Sequence, residues 1–318
     1  MADGVGDRFT IAAAREDDLD DVVGLIEASD RSLGVPPDPV REELRWVWHL
    51  ATTDLERDTR LVRDGRTLVA YAEATWKDPD AGEPLEVLVR VPSDRTGTGI
   101  GGWLLDWAEA VAEERGCQGI RAWAVDRDAD LQDLLRSHGF VHVRSAFTMW
   151  KVLAPDEKTP SPPDGVTIRS YTGADERTLY ELHQAAFAEH WGFHPISFER
   201  WEDFLYTDAG WDPSLVFMAE ADGSAIGYVV GFLEEICGFV GMLGVLKPYR
   251  GRGIAKALLH RSFSEFSSRG KSNVRLAVDA ENVHGAVALY ESVGMTVRRR
   301  YDSFDRGTPE AASVGNAS

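Results

Sequence analysis

Apolar and polar residues alternate with a period of two in "LVRDGRTLVAYAEA" (Leu61–Ala74) and in "MAEADGSAIGYVVGF" (Met218–Phe232). Each run is broken by an Asp-Gly pair, the strongest short-range sign of a β-hairpin. Upstream of each lies a short strand pattern followed by a helical one, "FTIAAAREDDLDDVVGLIEA" and "VTIRSYTGADERTLYELHQAAF". Downstream of each, a glycine-rich turn opens a helix with one apolar face. Ile100, Leu104, Trp107, Ala108 and Val111 form that face in the first case, and Ile254, Leu258, Leu259, Phe263 and Phe266 in the second. "GIRAWAV" and "NVRLAV" then read as buried strands. The order in both halves is strand, one or two helices, hairpin, strand, glycine turn, helix, strand, helix, strand.

The two halves are copies. Gly65 and Gly223 are 158 residues apart, Tyr71 and Tyr228 157, Gly99 and Gly253 154, and Gly139 and Gly294 155. Nearly constant offsets of that size describe a duplicated domain rather than a solenoid. Helices alternating with an extended sheet predict an α+β unit, present twice in tandem. "LAPDEKTPSPPDG", with four prolines and no apolar period, reads as the linker. The expected divisions are a first domain at 8–152, a linker at 153–165, a second domain at 166–304 and a flexible tail at 305–318.

The second glycine turn, "LGVLKPYRGRGIAKALL", has the composition of an anion site. A helix N-terminus presents unpaired N–H groups and a partial positive charge. Gly251 and Gly253 let the backbone approach a ligand, and Arg250 and Arg252 can add charge-assisted contacts to phosphate. An ordinary strand-to-helix turn accounts for the glycines equally well. The pattern is neither a phosphate loop of the G-x-x-x-x-G-K-[ST] type nor a G-x-G-x-x-G fingerprint.

Context adds to this. Arg250-x-x-Gly253-x-Ala255, followed by "NVHGAVALYESVGM", resembles the acyl-CoA signature of the GNAT acetyltransferase superfamily over roughly residues 166–303, and more weakly over 9–152. The resemblance implies a mixed central sheet with helices on both faces in each copy, and acetyl-CoA as co-substrate without a metal. It implies that Arg250, Gly251, Arg252, Gly253, Ile254, Ala255 and Lys256 hold the CoA pyrophosphate. It places the pantetheine arm along a splayed strand at Gly241–Val245, with Leu243, Gly244 and Val245 binding it through their backbone, and Asn282 and Tyr290 completing the site. Tyr290 is then the expected general acid for the leaving thiolate. Glu234 and Glu235, at the end of a hairpin strand, are candidates for the base, with His183, His190 and His194 as further possibilities. Trp191, Phe193 and Trp201 can wall the acceptor side or simply form a hydrophobic cluster.

The first copy departs from the pattern: Thr96 stands for Arg250, Leu135 for Tyr290, and Asn282 has no counterpart. Its glycines remain, so the copy is either scaffold alone or a lobe that still binds CoA. The expectation is a second copy that carries acetyl-CoA-dependent N-acetylation of an amine, small or otherwise, beside a first copy without chemistry. A non-enzymatic acyl-CoA sensor or interaction module is the alternative reading.

Composition narrows the partners. A formal charge of −19 disfavours nucleic acid and anionic membrane, and tilts weakly toward a cationic acceptor. Cys117 and Cys237 are too few for a disulfide framework or a cysteine-based metal site. "MADGVGDRF" lacks the apolar core of a signal peptide, and no run approaches the length of a membrane span, so a cytoplasmic protein is expected.

Overall fold

A computed structural model of the chain describes residues 3–76, 82–191, 193–207, 210–282 and 285–315. Val283 and His284 of the second signature lie outside these.

The chain forms two compact units, one of Met1–Ala146 with Arg299–Ser318 and one of Phe147–Arg298. In the first unit the order is α1 (Asp3–Arg8), β1 (Thr10–Ala12), α2 (Leu19–Ser32), α3 (Arg41–His49), α4 (Leu55–Asp58), β2 (Thr59–Asp64), β3 (Thr67–Thr75), β4 (Leu85–Arg90), α5 (Ile100–Arg115), β5 (Ile120–Val125), α6 (Ala129–Ser137) and β6 (Val141–Val152). The second unit continues with β7 (Thr167–Ser170), α7 (Glu176–Phe187), α8 (Phe198–Thr207), β8 (Val216–Ala221), β9 (Ser224–Leu233), β10 (Gly238–Val245), α9 (Ile254–Ser268), β11 (Asn273–Asp279) and α10 (Ala286–Ser292). β12 (Thr296–Arg306) and α11 (Pro309–Gly315) follow.

The sheet of the first unit runs β1-β2-β3-β4-β5-β12-β6, and that of the second β6-β11-β10-β9-β8-β7. Both are mixed: β4–β5 and β10–β11 are parallel, whereas the β2–β3 and β8–β9 hairpins predicted from the Asp-Gly turns are antiparallel. Helices cover both faces. In the second unit Ile254, Leu258, Phe263 and Phe266 of α9 pack on Val229, Val240 and Val274. Leu179 and Leu182 of α7 and Trp201 and Leu205 of α8 pack on Met218, Tyr228 and Val230. In the first, α5 lies on one face and α2 with α3 on the other. A buried leucine or phenylalanine contributes about 1.5–3 kcal/mol, so these two-sided cores are what hold each sheet between its helices.

The unit boundary falls within β6 and β12 rather than at the proline-rich segment. Residues 301–306 of β12 pair antiparallel with β5, from Tyr301↔Val125 to Arg306↔Ile120, and therefore complete the first unit. Phe304 is buried in its core, and Arg121 forms a bidentate ion pair with buried Asp305 at 2.9 and 2.7 Å. Residues 305–315 are accordingly not a loose tail. The Thr308 hydroxyl donates to Asp305 at 3.0 Å and accepts from the Ala311 N–H at 3.1 Å, which caps α11. The proline-rich segment is docked along α9, from the Ser267 hydroxyl on the Ala154 carbonyl (2.7 Å) to Pro163 beside Gly253.

Candidate active site

The parallel pairing of β10 with β11 covers only Gly238↔Val274 and Phe239↔Arg275, while β10 stays paired to β9 as far as Val245↔Gly227. A register shift between Val240 and Met242 bends the strand. From there to Val245 one edge of β10 has no strand partner among the described residues. The expected splay at Gly241–Val245 thus lies where the glycine turn begins.

That turn is built by two left-handed residues, Gly251 at φ 73° and Gly253 at φ 81°, the second being the N-cap of α9. An L-residue with a Cβ resists this conformation. The first bond of the helix is from Ala257 N–H to Gly253 C=O at 3.0 Å, so the amides of Ile254, Ala255 and Lys256 have no intrahelical acceptor. These are the donors an anion needs. Arg252 is exposed, with its guanidinium 5.6 Å from the Tyr249 ring centroid, and can reach a phosphate. Arg250 is spent differently: it donates to the carbonyls of Val245 (3.0 Å) and Ala186 (2.9 Å) and lies 3.5 Å from Glu189. It braces the turn against the end of β10 and α7.

Lys256 donates to the Ser292 carbonyl at 3.2 Å and so ties the cradle helix to α10, which carries Tyr290. Leu243, Tyr249, Ala255, Leu289 and Tyr290 line one partly buried margin of the same core. Burial pushes the Tyr290 phenol up to about 12. Among the described residues its hydroxyl has no hydrogen-bond partner, so the ring packs while the O–H is left for something else. Asn282 begins the loop into α10, its N–H bonded to the Asp279 carbonyl at 3.2 Å.

Glu234 and Glu235 are at the other end of β10, where β10 and β11 are still joined, roughly 20 Å along the strand from Gly244. Glu234 is 5% exposed and accepts both prongs of the Arg275 guanidinium and the Cys237 thiol at 3.0 Å. A carboxylate held this way is structural, not a base. Glu235 is exposed and its carbonyl receives Lys271 at 2.9 Å. Trp201 is buried in the α7–α8 core and lies against His183, with ring centroids 4.6 Å apart. Phe193 also reaches His183, at 5.9 Å.

The first unit repeats the backbone of this turn with different side chains around it. Gly97 and Gly99 have φ of 77° and 85°, and β4 parts from β5 after Val87↔Ala122. The adjoining cleft of about 410 Å³ is lined by Asp128, Asp130 and Asp133, and Thr96 donates to Asp130 at 3.0 Å. Three carboxylates there oppose a pyrophosphate. At the end of the splayed strand Arg90 occupies the register position of Gly244, its side chain buried. Arg299 bonds Asp30 at 2.9 Å, with Asp38 at 3.6 Å, both nearly inaccessible. In place of Tyr290 stands Leu135, fully buried. The charged cluster spans 269 residues of sequence between Asp30 and Arg299, and no local pattern announced it.

A parallel strand pair that parts beside a left-handed glycine turn opening a helix is the arrangement of the α+β acyltransferases. The chain belongs to the Acetyltransferase (GNAT) family, whose sequence profile matches residues 25–140 and 177–295, once in each copy. It is 32% identical over 249 residues to the mycothiol acetyltransferase of Thermobispora bispora, covering 74% of this chain and 79% of that one. It is 31% identical to that of Streptomyces avermitilis, covering 90% of both. A GCN5-related N-acetyltransferase from Sphaerobacter thermophilus superposes with a TM-score of 0.81 at 31% identity, over 94% of this chain and 96% of the other. A tandem GNAT protein of the clavulanic acid biosynthesis pathway has the same fold, with a TM-score of 0.71 at 18% identity over 95% and 98% of the two chains. The chain is therefore a tandem GNAT N-acetyltransferase similar in architecture to mycothiol synthase. Among the described residues no helix is long and apolar enough to cross a membrane.

Proposed function

We propose that the second unit transfers the acetyl group of acetyl-CoA to the nitrogen of a small-molecule amine, and that the first unit binds no CoA. The observation that carries this reading is Tyr290: a packed ring whose hydroxyl has no protein partner among the described residues, on the helix that Lys256 fastens to the glycine turn. The amides of residues 254–256 and the Arg252 guanidinium would hold the pyrophosphate, and the open edge of β10 at Leu243–Val245 the pantetheine and the thioester carbonyl. Arg250 contributes by fixing the turn. The amine nitrogen attacks the carbonyl carbon, the C–S bond breaks, and Tyr290 gives its proton to the sulfur. Neither Glu234 nor Glu235 takes part, and the amine proton leaves to solvent.

Similarity to mycothiol acetyltransferases supports a small-molecule acceptor. A sensor without chemistry would leave the Tyr290 hydroxyl without a purpose. The test is CoA release from acetyl-CoA across a broad amine panel, comparing the wild-type chain with Tyr290→Phe. Release with no amine, or release indifferent to Tyr290, would overturn the reading.

A further inference from the structure

Tyr228 is fully buried, and among the described residues its hydroxyl has one hydrogen-bond partner, the Nδ1 of His183 at 2.7 Å. The matching tyrosine of the first unit is arranged otherwise. The Tyr71 hydroxyl donates to Glu73 at 2.6 Å and accepts from the Trp48 indole at 3.0 Å. At the same 157-residue offset the second copy has Val230 for Glu73 and His183 for Ile26. The duplication has exchanged a closed, buried pair for one that ends on a partly exposed imidazole.

Hydrogen bonding fixes the tautomer. A buried phenol left without an acceptor costs the full desolvation of its O–H, and Nδ1 is the acceptor present, so Tyr228 donates and the ring proton sits on Nε2. The ring itself is held by Phe187, stacked at 4.6 Å, and by Trp201 at 4.6 Å. Burial, with His190 nearby, lowers its pKa to about 4, so it is a neutral donor rather than a cation. Among the described residues Nε2 has no partner.

The position matters as much. Tyr228 is directly opposite Gly244 on the splayed strand, and α7 covers the face of the sheet opposite the cradle helix α9. On the reading that the cofactor's arm enters along the open edge from the α9 end, the acceptor is left the side of β10 on which the partly exposed His183 lies.

We propose that His183 binds the acceptor: its Nε2–H donates to a hydroxyl or carbonyl oxygen of the amine substrate, whose apolar surface lies on Phe187 and Phe193, and Tyr228 is the residue that positions it. This rests on the acetyltransferase reading of the second unit. It makes the acceptor an oxygen-bearing amine recognised by a neutral donor and ring faces.

Two measurements on the full chain test it. Nitrogen-15 NMR of histidine-labelled protein should show His183 neutral with the proton on Nε2, and Tyr228→Phe should abolish that preference. A proton on Nδ1, or a tautomer indifferent to Tyr228→Phe, overturns the proposal. The second compares phenethylamine with 2-amino-1-phenylethanol, which differ by one hydroxyl. The wild type should favour the hydroxylated amine by roughly 10-fold or more in kcat/KM, the worth of a good hydrogen bond, and His183→Phe should erase the preference while leaving the KM for acetyl-CoA unchanged. Equal rates, a preference that survives His183→Phe, or turnover of neither amine overturns the acceptor assignment. The Nε2–H tautomer found together with no CoA release from any amine would instead overturn the acetyltransferase reading on which the proposal rests.

Discussion

Gly244 and Tyr228 face each other across the β9–β10 ladder so closely that no side chain fits at position 244. A Cβ there would come within 2.5 Å of the Tyr228 ring and 3.0 Å of the Ala186 methyl. Gly244→Ala should therefore lower stability by about 1–3 kcal/mol, the usual cost of overpacking a core. It should also cut turnover, because β10 must move where, on the proposed reading, it would carry the thioester. Chemical denaturation and a CoA-release assay check both, and an unchanged midpoint would show that the ladder is looser than this contact.

Tyr290→Phe keeps the ring and removes the O–H. With no hydrogen-bond partner among the described residues to lose, stability should change by less than about 0.5 kcal/mol, while kcat should fall roughly 10²-fold or more, within the range of general acid catalysis. Acetyl-CoA affinity should hold, since the lost interaction belongs to the transition state. A phenol raised to about 12 stays protonated across the neutral and moderately alkaline range. Any alkaline limb due to Tyr290 should therefore lie near pH 12, and a limb at lower pH that survives the substitution belongs to another group.

Calorimetric titration with acetyl-CoA should give one site per chain. Gly253→Val should weaken it roughly 10²-fold, the worth of one or two charge-assisted bonds, because a β-branched residue resists φ 81°. Gly99→Val, at the matching turn of the first unit, should leave stoichiometry and affinity untouched. Two sites, or sensitivity to Gly99→Val, would mean that Asp128, Asp130 and Asp133 do not exclude the pyrophosphate.

Glu234→Gln should separate structure from catalysis. It strands the buried Arg275 guanidinium, so stability should drop by about 3–5 kcal/mol. At a temperature where the variant remains folded, kcat should be within about twofold of wild type, because an ion pair at the closed end of β10 touches no reacting group. A large kcat defect in folded protein would return Glu234 to the mechanism.

His183 also predicts an acid sensitivity. Its folded pKa, about 4, lies below the ordinary 6.5, so the unfolded chain takes the proton first. The stability it contributes is complete above 6.5 and is lost as pH falls toward 4. The wild type should lose stability through that interval more steeply than His183→Phe, measured by denaturant midpoints at fixed ionic strength.

The duplication, both hairpins and the glycine turn were legible because each is written locally: an Asp-Gly pair between alternating runs, or glycines where φ must be positive. The Tyr290 helix was legible for the same reason. Glu234 was not, since its partner Arg275 lies 41 residues on and a carboxylate at a hairpin end looks the same whether solvated or buried. Arg250 carried the right residue type for phosphate, yet the nearby carbonyls of Val245 and Ala186 claim its donors. The path of β12 was also hidden. An apolar-alternating strand declares that it will pair, and which strand it joins is decided by distant partners such as Val125 and Arg121.

That path sets an order of manufacture. The first unit needs Phe304 for its core and Asp305 for Arg121, and these leave the ribosome only after all 152 residues of Phe147–Arg298 have been made. At roughly 5–20 residues per second the wait is about 8–30 s. During that interval β5 lacks the strand that will cover its edge and Arg121 lacks Asp305, while the second unit is being made. The half of the protein that is begun first is finished last.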